Sequence, residues 1–270
     1  MKIQIANHDF TIIWDGVYYF ALSDYPNISS WKLKKIVSFI EYEHQHGRKT
    51  EIECNNETMM EKVNHVINNP ESLDIENIVV PKKLTECTYC KQKGCLTEFV
   101  CHTATVENAK KILTGGKLLS AVKAFNKSGD ELVSDPRNAA GDPPDYFEYI
   151  MFSHGNCQAG DRLVMERNLG RSPTEDELNN NFKAGVRFYF RYNEIIKHPQ
   201  YVFDGYHIAK IKDELILNDY LCACILPKEQ EKDFISLIPQ NLADRIYYLP
   251  QNKLGLLDWS EKVYDFLRTL

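Results

Sequence analysis

The residues best suited to hold a polar ligand lie together in one stretch that begins with His102 and Thr103. An imidazole nitrogen and a threonine hydroxyl both form hydrogen bonds, and the residues around them read as the end of a strand. A short helix follows over residues 106–113 and stops at Gly115 and Gly116, so backbone amides lie free near its start. The pattern therefore predicts a corner between strand and helix that binds a polar ligand.

Two other segments carry side chains that suit the same ligand. Residues 146–153 alternate like a strand and present Tyr149 and Phe152, whose aromatic faces can hold a flat ring. Further along the chain, Asp219 stands just before an apolar run. A carboxylate in that position can stabilise the positive charge that develops on a sugar when its glycosidic bond breaks.

These segments resemble the polymerase-like branch of the ADP-ribosyltransferase superfamily, and the short DNA-targeting ADP-ribosyltransferase toxins of bacteria are similar. In that family a strand ends in His followed closely by Ser or Thr, an Asn opens the next helix, and an Ile-Leu pair precedes a glycine turn. The matching positions of this chain are His102, Thr103, Asn108, Ile112, Leu113 and Gly116. The resemblance implies an enzyme that transfers ADP-ribose from NAD to a macromolecular acceptor, either a protein or a nucleic acid.

The resemblance also implies a role for each candidate residue. His102, Thr103, Asn108 and Phe152 would bind NAD, with the imidazole on the ribose next to adenine. Tyr149 would face nicotinamide. NAD enters this reaction as a substrate, and the resemblance implies no metal.

The family's late carboxylate lies in an Asn-Glu-Tyr motif, where this chain has Asn218-Asp219-Tyr220. Aspartate is one methylene shorter than glutamate, and catalysis depends on such placement. The active carboxylate is therefore either Asp219 or Glu214, the nearest alternative. The departure also keeps open a non-catalytic module that binds a nucleotide or a partner with the same fold. An RNA 2′-phosphotransferase-like enzyme is a further alternative, because that class shares the His-centred opening.

The pattern of elements predicts an α+β fold in two parts. Residues 1–84 read as a small α+β N-terminal domain of unknown role, in which three short strands form an antiparallel meander. A helix begins at Ser29 or Ser30 and stops at Gly47. Residues 85–270 read as the split antiparallel β-core of the ADP-ribosyltransferase type, with residues 215–226 as one strand. The N-terminal domain could recognise substrate, bind an inhibitory partner protein or shield the site.

Four cysteines near the domain junction are spaced as C-x2-C-x4-C-x5-C, and they are Cys87, Cys90, Cys95 and Cys101. Four thiolates can hold a structural zinc. The spacing is tight for a zinc knuckle, and the last cysteine falls on a predicted strand beside His102. The pattern favours reduced thiols over a metal site.

Composition narrows the class of protein. The 270 residues are 43% hydrophobic and 26% charged, which is enough apolar material for a core. The net charge of −6 lacks the global basic footprint of a nucleic-acid-binding protein, although local basic patches are compatible with it. The first residues lack the apolar segment of a signal peptide, and no apolar run reaches membrane-spanning length. We therefore expect a cytoplasmic protein with no membrane partner.

Overall fold

A computed structural model describes residues 1–7, 11–14, 16–22, 25–73, 98–135 and 141–270. The predicted domain boundary at residues 84 and 85 lies outside the described residues, as do Cys87, Cys90 and Cys95. The fold is α+β, as the sequence predicts. Among the described helices, none is long and apolar enough to cross a membrane.

The N-terminal unit is a four-stranded sheet covered by two helices. Its strands are β1 (Lys2–Ala6), β2 (Ile12–Trp14), β3 (Val17–Ala21) and β4 (Glu51–Glu53), and its helices are α1 (Ser30–Gln45) and α2 (Glu57–Asn68). Ser29 caps α1 by accepting a hydrogen bond from the backbone N–H of Lys32, as its position predicts. A 3-10 turn over Pro70–Leu73 ends the unit's described part.

The predicted antiparallel meander is wrong in one pairing. Strands β2 and β3 are antiparallel, but β1 pairs with β3 in parallel and with β4 in parallel, which gives the order β2-β3-β1-β4. Ile3 and Ile5 of β1 lie beside Tyr18 and Phe20 of β3 in one buried cluster. Placing β1 in the centre buries its two isoleucines against α1 and α2, whereas a meander would leave β1 at the edge of the sheet.

The C-terminal unit begins at β5 and contains most of the secondary structure. Its strands are β5 (Phe99–Ala104), β6 (Lys117–Leu119), β7 (Tyr149–His154), β8 (Val186–Arg191), β9 (Tyr201–Val202), β10 (Ala209–Lys212), β11 (Glu214–Ile216), β12 (Leu221–Pro227) and β13 (Ile246–Leu249). Its helices are α3 (Val106–Gly115), α4 (Ala121–Phe125), α5 (Gly129–Val133), α6 (Gln158–Leu169), α7 (Glu175–Asn179), α8 (Tyr192–Ile195), α9 (Leu217–Tyr220), α10 (Glu231–Phe234) and α11 (Leu256–Leu267).

Seven of the described strands form one sheet in the order β13-β12-β8-β5-β7-β10-β9, while β6 and β11 pair separately. The large sheet is antiparallel except that β13 runs parallel to β12. The connection from Pro227 to Ile246 is long enough for the crossover that a parallel pair needs. Residues 215–226 form no single strand, because α9 (Leu217–Tyr220) interrupts them.

The sheet is packed on both faces. Val100 and Ala104 of β5 lie in a cluster with Ala109 and Leu113 of α3. On the opposite face, Cys101 of β5 lies in a cluster built on α6 and α11. Side chains alternate along a strand, so consecutive β5 residues sample the two faces in turn.

A fully buried ion pair fastens α6 to the sheet. The Arg187 guanidinium of β8 contacts the Asp161 carboxylate of α6, and neither side chain is exposed. Arg187 also donates to the hydroxyls of Tyr189 (3.2 Å) and Ser260 (2.8 Å), and Asp161 accepts the backbone N–H of Gly185 at 3.3 Å. The donors and acceptors of both charges are therefore matched by protein groups, as burial of an ion pair requires.

Candidate functional site

The pairing between β5 and β7 is short. The two strands share only two register pairs among the described residues, Val100 with His154 and Cys101 with Ser153. His102 comes next on β5, and its imidazole Nδ1 lies 3.2 Å from the carbonyl oxygen of Met151. The backbone pairing of β5 with β7 thus ends before His102, whose side chain makes the next contact between the two strands. Beyond His102 the two strands are no longer paired, and we call this gap the split.

The His102 ring is half-buried and its protonation follows from its surroundings. Burial lowers the pKa of His102 to about 4, so the ring is neutral near pH 7. A carbonyl oxygen only accepts, so Nδ1 carries the proton and donates to Met151. Nε2 is then an acceptor, and the described residues offer it no hydrogen-bond partner. The Nε2 atom of His102 is therefore a hydrogen-bond acceptor in a fixed position, which suits a hydroxyl group of a ligand.

The structure brings one predicted residue, Phe152, directly to His102. The two ring centroids are 6.4 Å apart in an edge-on arrangement, and Phe152 packs edge-on against Phe190 at 5.5 Å. Phe152 is 4% exposed, so its ring supports the imidazole and leaves little surface for a ligand. Sequence reasoning placed it at the site but as a binding group.

Thr103 and Asn108 lie on either side of the strand end. Thr103 is buried on the face opposite His102, and its hydroxyl lies 2.6 Å from the thiol sulfur of Cys157. Asn108 is half-buried in the first turn of α3, where its backbone N–H is capped by the hydroxyl of Thr105 at 3.2 Å. The Asn108 side chain is therefore left near the corner, whereas Thr103 turns away from it.

Tyr149 belongs to a different cluster, which joins the two units. The ammonium of Lys210 lies 3.8, 4.5 and 4.2 Å from the ring centroids of Tyr42, Tyr146 and Tyr149. We call these three rings the tyrosine cage. Tyr42 comes from α1 of the N-terminal unit, so the cage closes only when the units are packed together. A cation over several aromatic faces is favourable, the more so when it is desolvated.

Asp204 neutralises the caged ammonium. Its Oδ2 lies 3.0 Å from the Lys210 Nζ and 2.7 Å from Nδ1 of His207. Its Oδ1 accepts the backbone N–H groups of Tyr206 at 3.0 Å and His207 at 2.8 Å. Burial favours the neutral acid, but His207 and Lys210 outweigh burial and hold the pKa of Asp204 well below its ordinary value. Asp204 is therefore the centre of a buried charge network.

A second ionic network holds α1 to the segment before β7. Asp145 accepts from the Tyr42 hydroxyl at 2.6 Å and forms an ion pair with Arg48 at 2.5 Å. Arg48 also pairs with the fully buried Glu43 at 2.7 Å. The sequence singles out neither Arg48 nor Lys210, because the contacts of Arg48 with Asp145 and of Lys210 with the tyrosine cage join segments that lie far apart along the chain.

The predicted carboxylates lie on other elements than His102. Asp219 is exposed in α9, where Asn218 Nδ2 donates to its Oδ1 at 3.3 Å. Leu221, two residues later, and Val100 of β5 both pair with Phe190 of β8, which lies between their strands. Two strand spacings thus separate Asp219 from β5, which is roughly 10 Å or more. Glu214 pairs with Lys117 at 3.0 Å on the small β6–β11 sheet.

Comparison of the chain with protein-family models, with curated proteins and with solved structures gives no match.

Acid is expected to weaken the fold through the two histidines beside the split, His102 and His154. Burial lowers the pKa of each to about 4, and the Nδ1 atom of His154 is buried without a partner among the described residues. A histidine has a pKa near 6.5 when unfolded, so the stability is present above that pH and is lost as pH falls towards 4. Between pH 7 and about pH 5 we expect a loss of about 2 kcal/mol per histidine.

Urea unfolding at the two pH values measures this loss. A His154→Gln variant should show about half of it, and an exposed-site control, His44→Gln, should show all of it. An unfolding free energy that stays constant between the two pH values would show that folding does not lower the pKa of these rings.

Proposed function

We propose that the C-terminal unit binds NAD at the split between β5 and β7 and transfers its ADP-ribose to a macromolecular acceptor. The observation that carries the proposal is the fixed state of His102, which is neutral, tautomerically set by Met151 and free to accept at Nε2. A ribose hydroxyl is the natural donor for such an atom. In the family that the sequence resembles, a histidine at this position binds the ribose next to adenine.

Two other residues near the same corner would support NAD binding by His102. Phe152 holds the imidazole ring in its orientation, and the Asn108 side chain can bind the ligand from the start of α3. The resemblance assigns Tyr149 to nicotinamide, whereas its ring lies in the tyrosine cage, 4.2 Å from the Lys210 ammonium. The carboxylate that would stabilise the ribosyl cation is Asp219 or Glu214.

A second candidate, a non-catalytic NAD- or nucleotide-binding module, is favoured by one observation. Asp219 is exposed and lies two strands away from the His102 strand. Transfer requires a carboxylate close to the ribose, whereas binding through His102 does not.

Incubation of the full chain with NAD labelled separately in its nicotinamide and adenine parts distinguishes the two functions. Adenine label on protein or nucleic acid together with free nicotinamide supports transfer, and Asp219→Asn and Glu214→Gln then identify the carboxylate. NAD that binds but stays intact supports the binding module. NAD that neither binds nor is consumed rules out both.

A further inference from the structure

Two buried thiols face each other behind the strand that carries His102. Cys101 of β5 and Cys157 at the N-terminus of α6 are both almost completely buried, and they lie in the same buried cluster. The Thr103 hydroxyl lies 2.6 Å from the sulfur of Cys157 and 4.0 Å from that of Cys101. The Ser153 hydroxyl donates to the Cys157 sulfur at 3.2 Å.

The backbone holds Cys157 in place. Its φ of 55° is a left-handed conformation that a non-glycine residue rarely adopts, and it turns the chain from β7 into α6. A side chain at Gly160, one turn into α6, would collide with the Thr103 hydroxyl and lie 2.9 Å from the Cys157 sulfur. Because Gly160 has no side chain, α6 can pack closely against Thr103 and the Cys157 thiol.

The surroundings shift the pKa values of the two thiols in opposite directions, so Cys157 is the more acidic one. Burial raises the pKa of Cys157, but the hydrogen bond from Cys101 and the nearby Arg187 guanidinium outweigh burial and bring it below the ordinary value. Burial and then the hydrogen bond to Cys157 hold the pKa of Cys101 well above its ordinary value. The thiolate is the nucleophilic form of cysteine, and a second thiol beside it can resolve the oxidised product as a disulfide.

We propose that Cys157 and Cys101 form a thiol-oxidation site whose oxidant is a hydroperoxide. The Cys157 thiolate attacks one peroxide oxygen, the O–O bond breaks, and the released oxygen takes a proton to leave as water. The Cys101 sulfur then attacks the sulfenic sulfur of Cys157, which forms the S–S bond and expels a second water. Two thiols lose two electrons in total, and one hydrogen peroxide becomes two waters. Burial of both sulfurs favours a small oxidant over a bulky disulfide.

Mass spectrometry of the full chain after hydrogen peroxide treatment tests this site. We expect a peptide pair linked through Cys101 and Cys157, lighter than the two thiol peptides by two hydrogen atoms. In a Cys101→Ser variant, dimedone should capture a sulfenic acid at Cys157, and in Cys157→Ser it should find none at Cys101. Cys224→Ser is the matched control, since Cys224 is buried on β12, and it should leave the linked pair unchanged.

The wild-type digest decides the matter even if a serine variant does not fold. Peroxide that leaves Cys101 and Cys157 reduced while it oxidises other cysteines overturns the proposal. Capture of the sulfenic acid at Cys101 in place of Cys157 overturns the assigned order of attack.

Discussion

Replacing Asp161 with alanine is expected to lower the free energy of unfolding by about 3–5 kcal/mol. Asp161 and Arg187 are both fully buried, so the variant leaves a guanidinium without its counter-charge inside the protein. The Gly185 N–H loses its acceptor as well. Both costs fall on the folded state alone, because water solvates these groups in the unfolded chain.

Chemical denaturation of three variants isolates the ion pair. Arg171→Ala removes the exposed pair between Arg171 and Glu177 and should cost far less than Asp161→Ala, because water screens that pair. The double replacement Asp161→Leu with Arg187→Met should cost less than Asp161→Ala, because no unpaired charge remains. An Asp161→Ala variant as stable as Arg171→Ala would show that water reaches the pair.

Replacing Asp204 with alanine should have an effect of the same size, about 3–5 kcal/mol, and should act on both units at once. The change leaves the Lys210 ammonium with only the tyrosine cage, and it removes the acceptor of two backbone N–H groups. Tyr42 of α1 belongs to that cage, so loss of the caged charge loosens the contact between the units. Adding Lys210→Met to Asp204→Ala should restore part of the loss.

The matched control is the ion pair of Lys212, which lies two residues after Lys210 on β10. Lys212 pairs with Glu148 at 3.4 Å, and both side chains are nearly half exposed, so Glu148→Ala should change stability by less than about 1 kcal/mol. The pKa of Asp204 is depressed in the folded state, so its stabilisation is present above pH 4 and is lost as pH falls further. Equal losses for Asp204→Ala and Glu148→Ala would mean that the network contributes no more than a surface pair.

The sequence predicts the elements whose apolar residues follow a regular period. Helix α1 has its Ser29 cap and buried residues at helical spacing, and β5 with α3 has the glycine stop at Gly116, whose φ is 66°. Helix α6 escapes such reasoning because one of its inward residues is Asp161. A carboxylate on an inner face breaks the apolar pattern, and only the distant Arg187 makes that position tolerable.

The candidate site, like the fold, can be predicted where it depends on neighbouring residues and not where it depends on distant ones. The strand-to-helix corner at His102 follows from local residues, but the tautomer of its ring depends on Met151 of another strand. The tyrosine cage depends on Tyr42, which is more than a hundred residues from Tyr146 along the chain. Pairings of that range leave no spacing pattern, so Tyr149 could be predicted as a strand residue but not as a partner of Lys210.

The most direct test of NAD binding at His102 is a calorimetric titration of NAD into the full chain and into a His102→Ala variant. Loss of one neutral hydrogen bond should weaken binding about threefold to tenfold. His65→Ala, which removes an exposed histidine of α2, should bind as the wild type does. Measurable binding that weakens only in His102→Ala is the predicted result. Equal affinity in all three proteins, or no binding by the wild type, would contradict an NAD site at this corner.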